Sequence, residues 1–246
     1  GGYGREIKMS WGNAQEPTSI LTALNYFWEK DPNIRIKEVG MCGAGLAINT
    51  TSTSDAESAK NIDGSATAHD PSSLLVGASP DALICYPNGT IEVLEVKNHC
   101  PFFTSNGKHE FAIREFPFRE PYLPSHYVPQ LMMEMMCVGQ ECRSAIMIRQ
   151  TATGGALIIR LHRDDEWLDE MMFWLSKFQI DFVQTGTLPP VDFFYNDPNL
   201  KGRYGKFIEH TVRLGLSVEK LDHVPHAKIQ RMMGVVPGMT PLYLDL

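Results

Sequence analysis

The sequence predicts an α/β fold of the α+β type built on a mixed sheet, and three observations carry that reading. Apolar runs of strand length, bounded by turn residues, fill residues 74–97. Helix-period apolar patterns occupy 16–28, 125–138 and 164–184. A second pair of strand-like runs, 143–150 and 155–161, lies between the last two helices. At 246 residues and 43% hydrophobic content, the chain reads as one domain large enough for a substantial core. No apolar run approaches the ~20 residues of a membrane-spanning helix, so neither a membrane partner nor a signal peptide is expected.

The elements follow in order. Glu16-Pro17 opens a segment with Ile20, Leu21, Leu24, Phe27 and Trp28 at helical spacing. Proline suits a first helical turn, which places Glu16 at an expected helix N-terminus, where the dipole favours a carboxylate. Residues 50–73, rich in Ser, Thr, Ala and Asp, read as a long loop. Strands follow at 74–78 and 82–86, with Ser79-Pro80-Asp81 as a bend between them. Pro87-Asn88-Gly89 is a turn signal, because Asn and Gly accept positive φ. Residues 91–97 then return as a strand. Side chains alternate along it, so Ile91, Val93, Glu95 and Lys97 share one face, and Glu92, Leu94 and Val96 the other.

Residues 98–124 read as irregular and hold Lys108, Arg114 and Arg119 among several aromatics. A helix at 125–138 buries Val128, Leu131, Met135 and Val138, with Ser125 as its candidate cap and methionines filling the core. A hairpin turns at Ala152-Thr153-Gly154. The helix at 164–184 carries Trp167, Leu168, Met171, Leu175, Phe178 and Phe182. The core is expected over about 11–185, with 186–246 as a partly basic extension, and no internal repeat is visible.

The chemistry concentrates on Asp81, Glu95 and Lys97. Glu95 and Lys97, two apart on a strand, project to the same side. A carboxylate there can hold a metal while the ammonium beside it meets an attacking water. Asp81, at the edge of the neighbouring strand, supplies a second carboxylate. Oxygen ligands with no His or Cys between them suit Mg²⁺, with Mn²⁺ as its substitute, rather than Zn²⁺. An acidic group ending an apolar face also needs a partner or a metal once it is buried. Glu16 reads either as a simple helix cap or as a third carboxylate. Gln130 reads by default as a polar surface residue, with Tyr127 three residues earlier on the same face.

Four segments in this order resemble the PD-(D/E)XK nuclease superfamily, and within it the YqaJ-type viral recombinase group that includes the lambda exonuclease. They are Trp11-Gly12-Asn13-Ala14-Gln15-Glu16-Pro17, Gly77-Ala78-Ser79-Pro80-Asp81-Ala82-Leu83, Glu95-Val96-Lys97, and the stretch from Tyr127 through Gln130 to Met135. The resemblance implies a restriction-endonuclease-like core in the order helix, three strands, helix, strand. It implies catalytic roles for Glu16, Asp81, Glu95, Lys97 and Gln130. Because 98–124 follows Lys97 directly, Lys108, Arg114 and Arg119 are expected to wall the substrate cleft, with Ser79 and Tyr127 also near the substrate. Metal would be held by Asp81, Glu95, the carbonyl of Val96 and Glu16. Lys97 would orient the attacking hydroxide or act as general base. The implied activity is Mg²⁺-dependent hydrolysis of DNA leaving a 5′-phosphate, most readily as an exonuclease on linear DNA in recombination, repair or turnover. A structure-specific endonuclease on the same scaffold is the alternative, and a non-catalytic nucleic-acid-binding module is the other. A homotrimer is implied by the resemblance alone. The group also carries a basic helix ahead of the Glu16 segment, of which little is visible here. Ala82 stands where the group more often has Gly.

The remaining features set bounds. Five cysteines at irregular spacing (Cys42, Cys85, Cys100, Cys137, Cys142) argue against a disulfide scaffold and for an intracellular, reducing compartment. His99-Cys100 lacks a second ligand pair at metal-site spacing. The net charge of −7 is unlike many nucleic-acid binders. Residues 199–231, however, carry seven basic side chains (Lys201, Arg203, Lys206, Arg213, Lys220, Lys228, Arg231) against three acidic (Glu209, Glu219, Asp222). Within that segment, Lys201-Gly202-Arg203-Tyr204-Gly205-Lys206 reads either as a phosphate track or as a solvated tail. Phe102, Phe103 and Phe111 read either as core or as platforms for unpaired bases.

Overall fold

Helix α1 (Gly2–Lys30) is followed by strands β1 (Arg35–Lys37), β2 (Cys42–Ile48), β3 (Leu74–Ala78), β4 (Ala82–Cys85) and β5 (Ile91–His99). Then come β6 (Phe102–Thr104), β7 (Phe111–Ile113), α2 (Val128–Val138), β8 (Cys142–Thr151) and β9 (Gly155–His162). Helices α3 (Asp165–Phe178) and α4 (Arg203–Leu216), strand β10 (Glu219–Val224) and helix α5 (His226–Met233) complete the order. The computed structural model describes residues 2–48, 74–104, 111–113, 121–195 and 197–233.

Six strands form one mixed sheet in the order β1-β4-β5-β8-β9-β10. Only the central pair, β5 and β8, is parallel. A parallel pair needs a crossover, and the segment carrying α2 supplies it, which lays α2 over one face of β5 and β8. The alternation read in residues 91–97 is the one that folds. Val93 joins a core with Leu131, Met135, Trp167 and Leu168 on the α2/α3 side. Leu94 and Val96 join Phe27, Ile148 and Ile229 on the α1/α5 side. Each large aliphatic side chain buried this way contributes roughly 1.5–3 kcal/mol. The chain is therefore a mixed α/β protein with helices on both faces of its sheet.

Turn chemistry sets the register of the β4–β5 hairpin. Gly89 takes φ 87°, and Asn88 Oδ1 accepts the N–H of Thr90 at 3.0 Å. Ala82 then pairs with Leu94 and Cys85 with Ile91. At the β8–β9 turn, Gly155 (φ 88°) lies so close to β10 that a Cβ there would meet the carbonyl oxygen of Val224 at 2.1 Å.

Several elements differ from the sequence reading. The first helix does not begin at Glu16: α1 runs from Gly2, and Pro17 lies inside it. Proline removes the N–H that would bond the carbonyl of Asn13. Asn13, Glu16 and Pro17 all face solvent, where water can serve that carbonyl. Residues 125–138 are not one helix capped by Ser125. A 3₁₀ turn (Ser125–Tyr127) precedes α2, with no side-chain cap on either and Pro129 in the first turn of α2. The strand at 74–78 pairs with β2 in a separate two-stranded ladder, outside the main sheet. The stretch after Lys97 is not wholly irregular, since β5 continues to His99 and β6 pairs with β7. The helix read at 164–184 is α3, capped by Asp164 Oδ1 on the Trp167 N–H at 2.8 Å, followed by a π-helical turn (Gln179–Val183). The stretch at 201–206 is not a solvated tail, since it opens α4, which packs on α3; in the wider basic segment at 199–231, β10 forms an edge of the sheet. Within it, Arg203 pairs with Glu170 and Lys228 with Glu29. The loop at 50–73 lies outside the described residues.

Candidate active site

The end of β5 carries the candidate site. Because Ala82 pairs with Leu94, Asp81 falls beside Glu95, and its Oδ2 accepts the backbone N–H of Val96 at 2.7 Å. Glu95 and Lys97 share the face that α2 covers. Glu95 Oε1 accepts hydrogen bonds from Lys97 Nζ and, at 2.6 Å, from Gln130 Nε2. The same Gln130 nitrogen donates to Glu134 Oε1 at 2.9 Å. Glu95 and Glu134 are each 2% exposed. Their Oε2 atoms are buried with no hydrogen-bond partner. The Lys97 ammonium sits 5.7 Å from the centre of the Tyr127 ring, and the His126 ring lies tilted beside that ring at 4.1 Å between centres.

Electrostatics follow from that crowding. Burial pushes Glu95 up, and the charge of Asp81 adds to it against the opposing pull of Lys97 and Gln130. Burial, then the charge of Glu95, pushes Glu134 up to about 8. Burial alone would lower Lys97, but the charge and hydrogen bond of Glu95 outweigh it and hold the ammonium protonated. Three carboxylates thus surround one ammonium.

The structure brings together Asp81, Glu95, Lys97, Gln130 and Tyr127, four of the five expected catalytic side chains and one expected substrate contact. Glu16 is not among them. It is exposed on α1, and it makes no hydrogen bond or ion pair among the described residues. Its helix is anchored one turn further on, where Ser19 donates to Asn98 Oδ1 and Thr22 to Gln150 Oε1, each at 2.8 Å. Those contacts lie on the Leu94/Val96 face, across the sheet from Glu95. Val96 contributes its N–H to Asp81. Ser79 is exposed in the β3–β4 bend, with its hydroxyl 3.8 Å from Met41 Sδ. Lys108, Arg114 and Arg119 lie outside the described residues, as do the side chains of Phe102, Phe103 and Phe111.

Glu134 is the residue that sequence reasoning missed. Its signal is a lone charge within Leu131-Met132-Met133-Glu134-Met135-Met136, four residues after Gln130 and so on the same helical face. Across the parallel pair, Arg149 stands opposite Lys97 in register. Arg149 donates to the carbonyl of Tyr122 at 2.9 Å and to His99 Nε2 at 3.4 Å. Burial, then the charge of Arg149, lowers His99 to about 4, which leaves it neutral near pH 7. None of the five cysteines forms a disulfide among the described residues, and Cys137 and Cys142 are buried.

Among the described residues, no three His, Cys, Asp or Glu side chains form a ready-made cation cage. The donor set nevertheless fits a hard divalent ion. Two buried carboxylate oxygens lack partners, a third carboxylate adjoins them, and no sulfur or imidazole intervenes. No described helix is long and apolar enough to cross a membrane. Comparison with protein-family models, with curated proteins and with solved structures finds no match. The resemblance to nucleases therefore rests on the sequence motifs.

Proposed function

We propose that the protein is a Mg²⁺-dependent deoxyribonuclease with a restriction-endonuclease-like core, acting most readily as an exonuclease on linear DNA. The observation that carries this reading is Glu95. It binds Lys97 and Gln130 through one oxygen, keeps the other buried without a partner, and adjoins Asp81 on the next strand.

Glu95 and Asp81 would hold the cation, with the Val96 carbonyl beside them. Once bound, that ion stabilises charge developing on the phosphate and acidifies water. Lys97, hydrogen-bonded to Glu95, would orient the attacking hydroxide or, with its pKa lowered once the cation occupies Glu95, act as general base. Gln130 gives its N–H groups to two carboxylates, which leaves its Oε1 to accept from the attacking water. Tyr127 presents a ring beside Lys97 on which a sugar or base can rest.

The test compares wild type with Lys97→Ala on end-labelled linear duplex and on covalently closed circular DNA, in Mg²⁺ and in EDTA. Mg²⁺-dependent loss of linear DNA alone, abolished by Lys97→Ala, is the expected result. Nicking of the circle with the same Lys97 dependence would make the enzyme an endonuclease at the same site. A folded wild type that cleaves neither substrate in Mg²⁺ would leave a non-catalytic binding module.

A further inference from the structure

Helix α2 contributes more to the site than Gln130. Glu134 lies one turn further along the same face, among the fully buried side chains of Leu131, Met132 and Met135. A carboxylate placed there loses nearly all its hydration, and a buried charge persists only when something replaces that water. One hydrogen bond, from Gln130 to Oε1, is all the described protein supplies. Oε2 receives none.

Glu95 is in the same condition on the facing strand, and the two are tied together. One amide nitrogen, Gln130 Nε2, holds Glu95 at 2.6 Å and Glu134 at 2.9 Å, so both carboxyl groups flank a single donor. Two anions held this close repel one another. With Asp81 beside them and Lys97 as the cation acting on both, ionising all three acids would leave two negative charges uncompensated, and Glu134 keeps its proton instead until a cation arrives. A divalent cation carries the charge that is missing, and oxygen donors select a hard one.

We propose that Glu134 is a ligand of the divalent cation, paired with Glu95 across the Gln130 amide. It occupies the acidic role for which the sequence suggested Glu16. The inference rests on the reading that this site holds such an ion, but it concerns binding rather than cleavage. A pair of carboxylates completed by water or phosphate oxygens is a familiar way to hold Mg²⁺.

The experiment measures Mn²⁺ binding to the full chain without DNA, by the electron paramagnetic resonance of free Mn²⁺, and melting temperature with and without Mn²⁺. Wild type is expected to bind and to melt higher in Mn²⁺. Glu134→Gln should melt higher than wild type without metal, because a repulsion is lifted. It should also lose at least about tenfold in Mn²⁺ affinity and most of the Mn²⁺-induced rise. Glu134→Asp keeps the charge on a shorter stem. It should bind between the two, which preserves the test if the Gln variant folds poorly. Glu134→Gln binding Mn²⁺ as tightly as wild type would overturn the assignment and leave Glu134 a neutral core acid, with the nuclease reading untouched. A folded wild type that binds no Mn²⁺ would overturn both.

Discussion

Two glutamates on β5, three residues apart and equally buried, have opposite fates. Glu92 and Glu95 are each 2% exposed, on opposite faces of the sheet. Glu92 is fully met: its oxygens accept from Arg160 at 2.7 and 3.3 Å, from the Ser144 hydroxyl and from the Tyr86 hydroxyl, and Arg160 reaches on to Glu219 at 2.9 Å. Burial alone would raise Glu92, yet those bonds bring it below its ordinary value. Glu95 has a short-range ammonium and one amide, a like charge in Asp81, and an oxygen with no partner, and it is raised. Burial alone therefore distinguishes nothing. A satisfied buried acid holds the fold together; an unsatisfied one marks where something else is meant to bind.

Mirror substitutions sharpen the contrast, since each removes the cation facing a buried glutamate. Lys97→Ala is expected to reduce Mg²⁺-dependent DNA cleavage by roughly a thousandfold, read as initial rate on labelled duplex, while the protein stays folded. Arg160→Met is expected to do the reverse. Leaving Glu92 buried and uncompensated should lower unfolding free energy by about 3 kcal/mol, read from urea midpoints, with Mn²⁺ binding of the folded fraction unchanged. Comparable stability losses for both variants, with comparable activity losses, would erase the distinction.

Acid and alkali should act on the two faces in opposite directions. Glu92 is lower folded than unfolded, so its stabilisation is present above its ordinary value of 4.5 and is lost as pH falls through the folded value. Glu134 is higher folded than unfolded, so its stabilisation is full below 4.5 and disappears as pH rises towards about 8. Metal-free protein should therefore lose up to about 1.4 kcal/mol per pH unit within that upper window through Glu134 alone. Glu134→Gln should flatten the decline, read from melting temperatures between pH 5 and 8 (roughly the window between the two values). Away from both clusters effects are smaller. Thr211→Val, which removes the hydroxyl that accepts the Trp167 indole N–H at 2.8 Å, should cost about 1 kcal/mol and leave cleavage unchanged.

Much of this contrast was legible in the sequence where periodicity speaks. Alternation along 91–97 placed Glu95 and Lys97 together and set Glu92 on the other side. Pro87-Asn88-Gly89 fixed the hairpin that brings Asp81 alongside. The helical spacing of 125–138 put Tyr127 and Gln130 on one face, but the family resemblance alone turned that face to the site. Less was legible where the answer depends on long-range pairing. Glu134 gains its meaning only when the β5–β8 crossover lowers α2 onto β5, and the Arg149–Lys97 adjacency needs the parallel register. Arg160 and Glu92 are 68 residues apart, so their pairing has no local signature. Pro17 misled for a local reason: it is a common helix opener, yet here it sits on an exposed turn that tolerates it. Strand β10 was hidden in the same way, because Glu219 to Val224 is too polar to read as sheet until β9 offers it an edge.

The most direct test sets Glu95→Gln against Glu92→Gln in one experiment, measuring Mn²⁺-induced stabilisation and Mg²⁺-dependent loss of linear duplex DNA. Glu95→Gln should abolish both while melting no lower than wild type without metal. Glu92→Gln should melt lower and retain both in the folded fraction. Cleavage that survives in Glu95→Gln, or a loss shared equally by the two variants, would contradict the placement of the active site at Glu95.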